Sequence, residues 1–307
     1  MMILDFWFQV LLLALLLDLL IGEPPVFMHP VVWMGNLINF FVARAPHRQR
    51  KLYGLFMTAF CTGTVLLAGF VIASWGEDLI SLVIAAFFLK STFSIRMLTV
   101  SASGIKKDLE RGMIGKVRSD LKTFVGRDTG GLNETQASSA VIESLAESFV
   151  DGILSPLFYY LLFGLPGALT YRMINTLDSM VGYKKEPFIE LGYTCARLDD
   201  IANWIPARLS LIFIFITSII FGKPSGAVRT CIRDHNKTAS PNSGWSMSAV
   251  SGALGVRLEK IGYHVLGAQY DEPQPVHISR AVNIVGFSSF LVIAGIFLIG
   301  KVALIRF

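Results

Sequence analysis

Three carboxylates, Glu143, Glu147 and Asp151, recur at four-residue intervals in the string AVIESLAESFVDGILSP. At about 100° per residue, each interval turns an α-helix by only about 40°, so a continuous helix carries all three on one face. The residues that follow, Gly152 to Leu165, are almost wholly apolar. Acids running into an apolar segment are costly and need a cation, a basic partner or a water-filled cavity. A solvated helix face ahead of a membrane span is the plainer reading. It suits the polar half of the string but not Asp151, embedded in FVDGILSPLFYY.

Four polar clusters stand where apolar segments meet loops. The first holds Asp18, Glu23 and His29 in DLLIGEPPVFMHP; read plainly, it is a polar helix end and a Pro-rich turn. The second is Gly126-Arg127-Asp128-Thr129, leading into the acidic string. Its glycines let backbone amides approach an anion, and the Arg127 fork suits phosphate or carboxylate. No Gly-x4-Gly-Lys-Ser/Thr loop is present, so a nucleotide is not held by a P-loop. The third runs from Arg172, Asn175 and Asp178 to Asp199, Asp200, Asn203 and Arg208. Asp199, Asp200 and Asn203 are candidates to join Glu143 and Glu147 around Mg²⁺, which takes oxygen ligands. The competing reading makes Asp199 and Asp200 caps of the next helix and Arg208 a snorkelling side chain. The fourth is Ser240-Pro-Asn242-Ser-Gly-Trp245, with Gly252, Gly255 and Arg257 beyond it; alone it is ordinary turn chemistry.

The elements that must position these groups are membrane helices. Of the 307 residues 53% are hydrophobic and only 16% charged, with mean hydropathy +0.58, against roughly 25% charged in soluble domains. Candidate spans are Phe6–Ile21, Leu52–Trp75, Leu79–Val100 (interrupted by Lys90 and Arg96), Ile153–Ile174, Ile205–Phe221 and Ala281–Gly300. The first has no preceding Lys or Arg and no following small-residue cleavage site, so we read it as a retained helix. The expected fold is an all-α polytopic bundle of about 5–7 membrane segments, some broken or re-entrant, forming one domain over 1–307.

Basic residues orient such a bundle. Arg44, Arg48, Arg50 and Lys51 follow the first span, the Gly76-Glu77-Asp78 connection has none, and the next loop is rich in Lys and Arg. This pattern expects an outside N-terminus and cytoplasmic loops over 101–148 and 223–280. If the fourth and fifth spans both cross, 175–200 lies outside with Lys184, Lys185 and Arg197. Broken or re-entrant helices at Pro156, Pro166 and Pro206 are the other arrangement, and the sequence leaves both open. The stretch DLERGMIGKVRSDLKTFV reads as one amphipathic helix, and 243–268 as a Gly-rich helix packed on the bundle. Three scattered cysteines and five histidines show no disulfide or zinc spacing. A net charge of +5 fits anionic lipid and anionic substrates. Nucleic acid is not expected, for want of a basic-aromatic stripe.

Six strings in order, DLLIGEPPVFMHPVVWMG, VGRDTGGL, AVIESLAESFVDGILSPLFYY, YRMINTLDSMVGY, RLDDIANWIPARL and SPNSGWSMSAVSGALGVRLEK, resemble the CobD/CbiB family. These are the membrane-bound adenosylcobinamide-phosphate synthases of cobalamin biosynthesis. Ser148 departs from the usual Asn, Ser246 from the usual Pro after Trp, and His235-Asn-Lys-Thr-Ala from the usual approach to Ser-Pro-Asn. The resemblance implies an ATP-dependent acid–amine ligase joining adenosylcobyric acid to (R)-1-amino-2-propanol O-phosphate or aminopropanol through an acyl phosphate. It implies Mg²⁺ and ATP, a multi-pass cell-membrane protein with its site facing the cytoplasm, and association with other cobalamin-assembly membrane enzymes. Glu147, Asp178 and His29 become catalytic candidates, and Glu143, Glu147, Asp151, Asp199 and Asp200 metal ligands. Asp18, Glu23, Arg127, Asp128, Thr129, Arg172, Asn175, Asn203, Arg208, Asn242 and Trp245 become substrate or ATP contacts. Rival classes are a secondary transporter, a prenyl or phospholipid-type transferase, and a non-catalytic membrane sensor; no paired hydrophobic repeat and no usual Asp-rich spacing supports the first two.

Overall fold

The computed structural model describes residues 2–125, 129–183 and 185–305. In chain order the helices are α1 (Met2–Leu20), α2 (Pro30–Val42), α3 (Arg50–Ala73), α4 (Leu79–Lys90), α5 (Ile95–Glu110), α6 (Ile114–Phe124) and α7 (Glu134–Phe149). A π-helical turn, Val150–Leu154, leads into α8 (Ser155–Val181), then α9 (Phe188–Leu191), α10 (Tyr193–Ala202) and α11 (Trp204–Phe221). The chain ends with α12 (Pro224–Asp234), α13 (Ser243–Leu254), a short hairpin of β1 (Leu258–Lys260) and β2 (His264–Leu266), and α14 (Pro275–Ile305). Among the described residues, five helical segments are long and apolar enough to cross a membrane: Arg50–Ala73, Leu79–Glu110, Glu134–Val181, Trp204–Phe221 and Pro275–Gly300. The protein is a polytopic helical membrane protein. Contacts divide it into two compact units, one of Met1–Ser94, Ser155–Asn203 and Gly295–Phe307, the other of Ile95–Leu154 and Trp204–Ala294.

The first unit is organised by a reversal inside α8. Gly164 sits at φ 66° and ψ −157°, a conformation that glycine reaches without steric cost, and Pro166 removes a helix donor two residues on. A straight helix rising about 1.5 Å per residue would hold Tyr159 and Tyr171 about 18 Å apart. Instead their rings stack with centroids 5.3 Å apart at 12°, so α8 is a helical hairpin with its tip at Gly164. Its depth is read against α3. Gly69, near the end of α3, lies against Pro166 at the tip, and Gly54, near the start, lies against the Leu191 backbone. A methyl group at either glycine would overlap its neighbour. Lys51 also lies over the Tyr193 ring, 4.0 Å from its centroid.

The descent and return of α8 therefore bring 185–193 to the end of α3 that begins at Arg50. In this packing α8 folds back along α3, which is the broken-helix arrangement of the two that the sequence left open. Trp7 stacks on Tyr160 at 4.4 Å, and the Tyr160 hydroxyl donates to the Trp7 carbonyl at 2.8 Å, fixing α1 to the entering arm.

In the second unit, α12 and α13 approach closely because Gly226 and Gly252 face each other's carbonyl oxygens, leaving no room for Cβ atoms. The expected helix over 243–268 stops at Leu254, where Gly255 turns left-handed at φ 68°, and the hairpin takes over. The single amphipathic helix expected from DLERGMIGKVRSDLKTFV is two. Gly112, at φ 71°, breaks it between α5 and α6, and Lys116 Nζ bridges the break to Asp108 Oδ2 at 2.7 Å. Thr217 of α11 and Ser288 of α14 share a hydroxyl hydrogen bond of 2.8 Å.

The hairpin makes a topological prediction. Single cysteines replacing Arg48, Glu77 and Glu190, in a variant lacking Cys61, Cys195 and Cys231, are labelled with a membrane-impermeant maleimide in intact and permeabilised cells. Positions 48 and 190 are expected to share one pattern and position 77 to show the opposite. Agreement of 190 with 77 would mean that α8 crosses.

Candidate functional site

The hairpin gathers the third polar cluster. Asn203, at the end of α10, is 1% exposed. Its Oδ1 accepts from the Ser155 hydroxyl at 2.6 Å and the Tyr171 hydroxyl at 2.9 Å. Its amide is thereby turned so that Nδ2 donates to Asp199 Oδ2 at 3.0 Å. Asn175 Nδ2 donates to the other Asp199 oxygen at 3.4 Å, and Arg172 Nη1 reaches Asn175 Oδ1 at 3.5 Å. Burial, then the neighbouring Asp178 carboxylate, push Asp199 up to about 7, against the lowering effect of the two amides. Asp199 does not cap α11: its side chain is held by amides within the bundle, and only its carbonyl accepts the Asn203 N–H, at 2.9 Å. Asp200 lies half-buried, 3.8 Å from Arg197.

The first cluster is completed by a residue the sequence reading passed over. Lys90, 2% exposed at the end of α4, places Nζ 2.7 Å from Glu23 Oε1 and 3.4 Å from Asp18 Oδ1. His29 Nδ1 accepts from the Val31 N–H at 3.2 Å, capping α2. The neutral ring therefore carries its proton on Nε2, which donates to Glu23 Oε2 at 2.9 Å. Burial alone would raise Glu23, but hydrogen bonds from His29, Lys90 and Ser94 overcome it and bring it down to about 2. Both ring nitrogens of His29 are thus engaged within the loop, which leaves it poorly placed as a base. The signal for Lys90 was a lone cation in one apolar run and a lone acid, Asp18, in another.

The acidic string is arranged differently from its spacing. The π-helical turn at Val150–Leu154 interrupts the α-helical register between Glu147 and Asp151, and such turns recur at functional sites. Glu143 is buried, 3.5 Å from His264 Nε2 on β2 and 3.4 Å from the Ser139 hydroxyl. Glu147 is exposed and Asp151 half-buried, so the three acids occupy three environments. Among the described residues, no three His, Cys, Asp or Glu side chains converge as a metal cage. Arg127 and Asp128 lie outside the described residues. Thr129 is buried, and its hydroxyl donates to the Arg118 carbonyl at 2.6 Å.

The fourth cluster meets Arg208. Its guanidinium lies 4.1 Å from the Trp204 ring centroid and 4.9 Å from that of Trp245. Nη1 donates to the Trp204 carbonyl at 2.6 Å and to Asn242 Oδ1 at 3.4 Å. His235 packs on Trp245 with ring centroids 4.4 Å apart. The buried Trp245 Nε1 has no hydrogen-bond partner among the described residues. Trp204 and His235 were not singled out from sequence, because both sit in strings already read as a span entrance and a loose turn. The neighbouring Asp234 is held well below the usual carboxylate range: burial opposes this, but Arg233, Lys237 and the Gly267 N–H prevail.

The model of the CobD/Cbib protein family matches residues 11–285. This chain belongs to the CobD/Cbib family. It is 39% identical over 298 residues to a probable cobalamin biosynthesis protein CobD of Methanothrix thermoacetophila, covering 92% of this chain and 93% of that one. It is 38% identical over 306 residues to the cobalamin biosynthesis protein CobD of Dehalococcoides mccartyi, covering 96% and 98%. No solved structure matches the chain. CobD/Cbib membership associates it with cobalamin biosynthesis, and the match embraces all four polar clusters.

Two predictions follow from the electrostatics of this CobD/Cbib chain. Lys90→Ala leaves Asp18 and Glu23 without their shared cation, at a cost of about 3–5 kcal/mol. The thermal melt in detergent should fall sharply, and Lys90→Ala combined with Asp18→Asn and Glu23→Gln should recover much of the loss. For Asp199 the folded pKa lies above the unfolded value of 3.8. Its contribution to stability is therefore full below about pH 4 and is lost as pH rises through about 7. Melts from pH 4 to 8 without divalent cation should decline for this reason, and Asp199→Asn should flatten that part of the profile.

Proposed function

We propose that this chain catalyses ATP-dependent amide formation between adenosylcobyric acid and (R)-1-amino-2-propanol O-phosphate, or aminopropanol itself. The product is adenosylcobinamide phosphate, formed in the cell membrane by a site that faces the cytoplasm. The observation that carries the reading is the network on Asp199. It joins residues from two separated strings, YRMINTLDSMVGY and RLDDIANW, into one buried hydrogen-bonded group. Family membership supplies the pathway, and the basic 101–148 loop supports the side on which ATP is available.

A carboxylate is a poor acyl donor because oxide is a poor leaving group. In the proposed reaction a carboxylate oxygen of the corrinoid acid attacks the terminal phosphorus of ATP, ADP departs, and an acyl phosphate remains. The amine nitrogen then attacks the acyl carbon, the C–O bond breaks, and inorganic phosphate leaves. The proton lost by the ammonium group passes to a carboxylate. Asp178, half-buried beside Asp199, is our candidate for that acceptor; the two Asp199 oxygens already take amide donors.

Asp178 and Asp199 repel one another in a buried setting, and a divalent cation relieves that repulsion. One or two carboxylates with phosphate and water suffice for Mg²⁺, so the residues fit it. In the first unit Asp199 is the ligand we propose, with Asp178 facing it as the proton acceptor; in the second unit the exposed Glu147 is a separate candidate, with Glu143 and Asp151 of the same string. When bound, the metal neutralises phosphate charge. Arg172, tied to the network through Asn175, is our candidate to hold an anionic substrate group.

ADP release by the purified protein in detergent tests the reading. Multiple turnover should require the corrinoid acid and the aminoalcohol phosphate together. Glu147→Gln should abolish amide formation while the melt stays at the wild-type value, since Glu147 is exposed. Asp178→Asn should slow turnover by about 10²–10⁴-fold. Sustained ADP release without the amine, beyond one equivalent per protein, or transport of corrinoid without ATP consumption, would move the protein to another class.

A further inference from the structure

We infer that Arg208 and Trp245 form a receiving site for a lone phosphate monoester, and that the phosphate of the aminoalcohol substrate is its occupant. The identity of the occupant rests on the function proposed above; the anion site does not. Among the described residues, Arg208 has no carboxylate within ion-pair distance, in contrast to Lys90, which has two. Two indole rings and two carbonyl-type oxygens hold the guanidinium flat. Only Nη1 is used in those bonds, so the Nε and Nη2 edge meets no acceptor among the described residues. A cation held against aromatic faces in a half-buried place is poorly hydrated and attracts an oxyanion.

The second observation is independent. Trp245 Nε1 is buried and has no partner among the described residues, although buried polar groups in proteins almost always have one. An indole N–H can only donate. The open functions of Arg208 and Trp245 are therefore donors, and donors select an oxyanion. His235 donates through Nδ1 to the Cys231 carbonyl at 3.0 Å, so its neutral ring carries a lone pair on Nε2 and it supports Trp245 by packing alone. The acid beside it, Asp234, is bound by Arg233, Lys237 and the Gly267 N–H and does not compete for Arg208.

The same inventory discriminates among phosphates. A nucleoside triphosphate arrives with Mg²⁺ and wants carboxylates beside its metal, which this cluster lacks. A monoester dianion needs donors alone. A lipid headgroup offers the same phosphate oxygens as a diester, so lipid is the source the experiment must separate.

Binding is measured by calorimetry in neutral detergent with 1-amino-2-propanol O-phosphate, 1-amino-2-propanol, inorganic phosphate, ATP and phosphatidylglycerol. The phosphorylated amine and inorganic phosphate are expected to bind, and the unphosphorylated amine not to. Arg208→Lys keeps the charge and loses the fork; Trp245→Phe keeps a ring and loses the N–H. Each should weaken the phosphorylated amine by about tenfold or more and leave ATP unchanged, with a wild-type melt as the folding control. Unchanged binding of the phosphorylated amine in both variants overturns the inference. So does displacement of phosphate by phosphatidylglycerol at equal concentration, which would make the site a lipid contact. Loss of inorganic phosphate binding in Arg208→Lys, in a protein that forms no amide, would uphold the anion site and remove the ligase reading instead. An unchanged KM for the phosphorylated amine in an active Arg208→Lys enzyme would do the reverse.

Discussion

On one straight helix axis Ser155 and Tyr171 would lie about 24 Å apart, yet both hydroxyls donate to a single oxygen of Asn203. That convergence requires the reversal at Gly164, and the first unit's chemistry depends on it. Backbone groups freed at a break in a membrane helix must be satisfied inside the protein or along a wet cavity. Here the Pro166 ring lies against Gly69, where a side chain on α3 would push the tip away. Two glycines on α3 thus set the depth of the hairpin and the level at which its polar end meets α10. The acid Asp199 sits at that end without a cation among the described residues, held by amide donors from two helices.

Charge in the rest of the protein obeys the same requirement with different solutions. Lys90 and its two acids satisfy each other between α4, α1 and the loop before α2. Asp234 is closed off by two cations and a backbone N–H, and so fixes α12 to the turn after β2. Glu143 turns to His264 and Ser139 and away from the exposure of Glu147. Arg208, like Arg44 over Phe40, has π faces and neutral oxygens as the neighbours that orient it, with no carboxylate among the described residues to neutralise it. An uncompensated but oriented donor set is suited to a ligand, whereas a closed ion pair is suited to holding helices together.

The apolar runs made most of the membrane helices legible, closely for Ile205–Phe221 against Trp204–Phe221 and Leu52–Trp75 against Arg50–Ala73, whereas Leu79–Val100 breaks after Lys90 into α4 and α5 and Ala281–Gly300 lies within a longer α14. The helix Pro30–Val42 was missed because its short run follows a Pro-rich turn. The reversal in α8 was visible only as an option, since Gly164 and Pro166 allow a turn but the contacts with Gly69 and Gly54 decide it. The register of the acidic string was misjudged for a similar reason. A four-residue period presumes α geometry throughout, and one π-helical turn shifts Asp151 relative to Glu147. Gly112 divided the amphipathic pattern by capping α5 in the left-handed conformation, a glycine C-cap signal that the sequence reading passed over. At the site, the strings announced Asn175, Asp199 and Asn203 but not Tyr171 or Ser155. A hydroxyl in an apolar helix is usually satisfied by its own backbone, as Thr217 is through the Phe213 carbonyl at 2.6 Å.

The two hydroxyls explain why Asn203 points as it does. An amide can be turned either way with little change in shape. With Ser155 and Tyr171 both donating, its oxygen must face them and its nitrogen must face Asp199. The orientation is therefore imposed from the hairpin arms and transmitted to the acid. Asp in place of Asn203 would keep the acceptor for the hydroxyls but set a second carboxylate against Asp199, where Asp178 already raises the cost of charge. Leu there would remove the shared acceptor of both hydroxyls and one of the two amide donors to the acid. Of the side chains of similar size, only an amide supplies an acceptor on one side and a donor on the other without adding charge. Residue 203 is thus fixed by the electrostatics of its neighbours as much as by space.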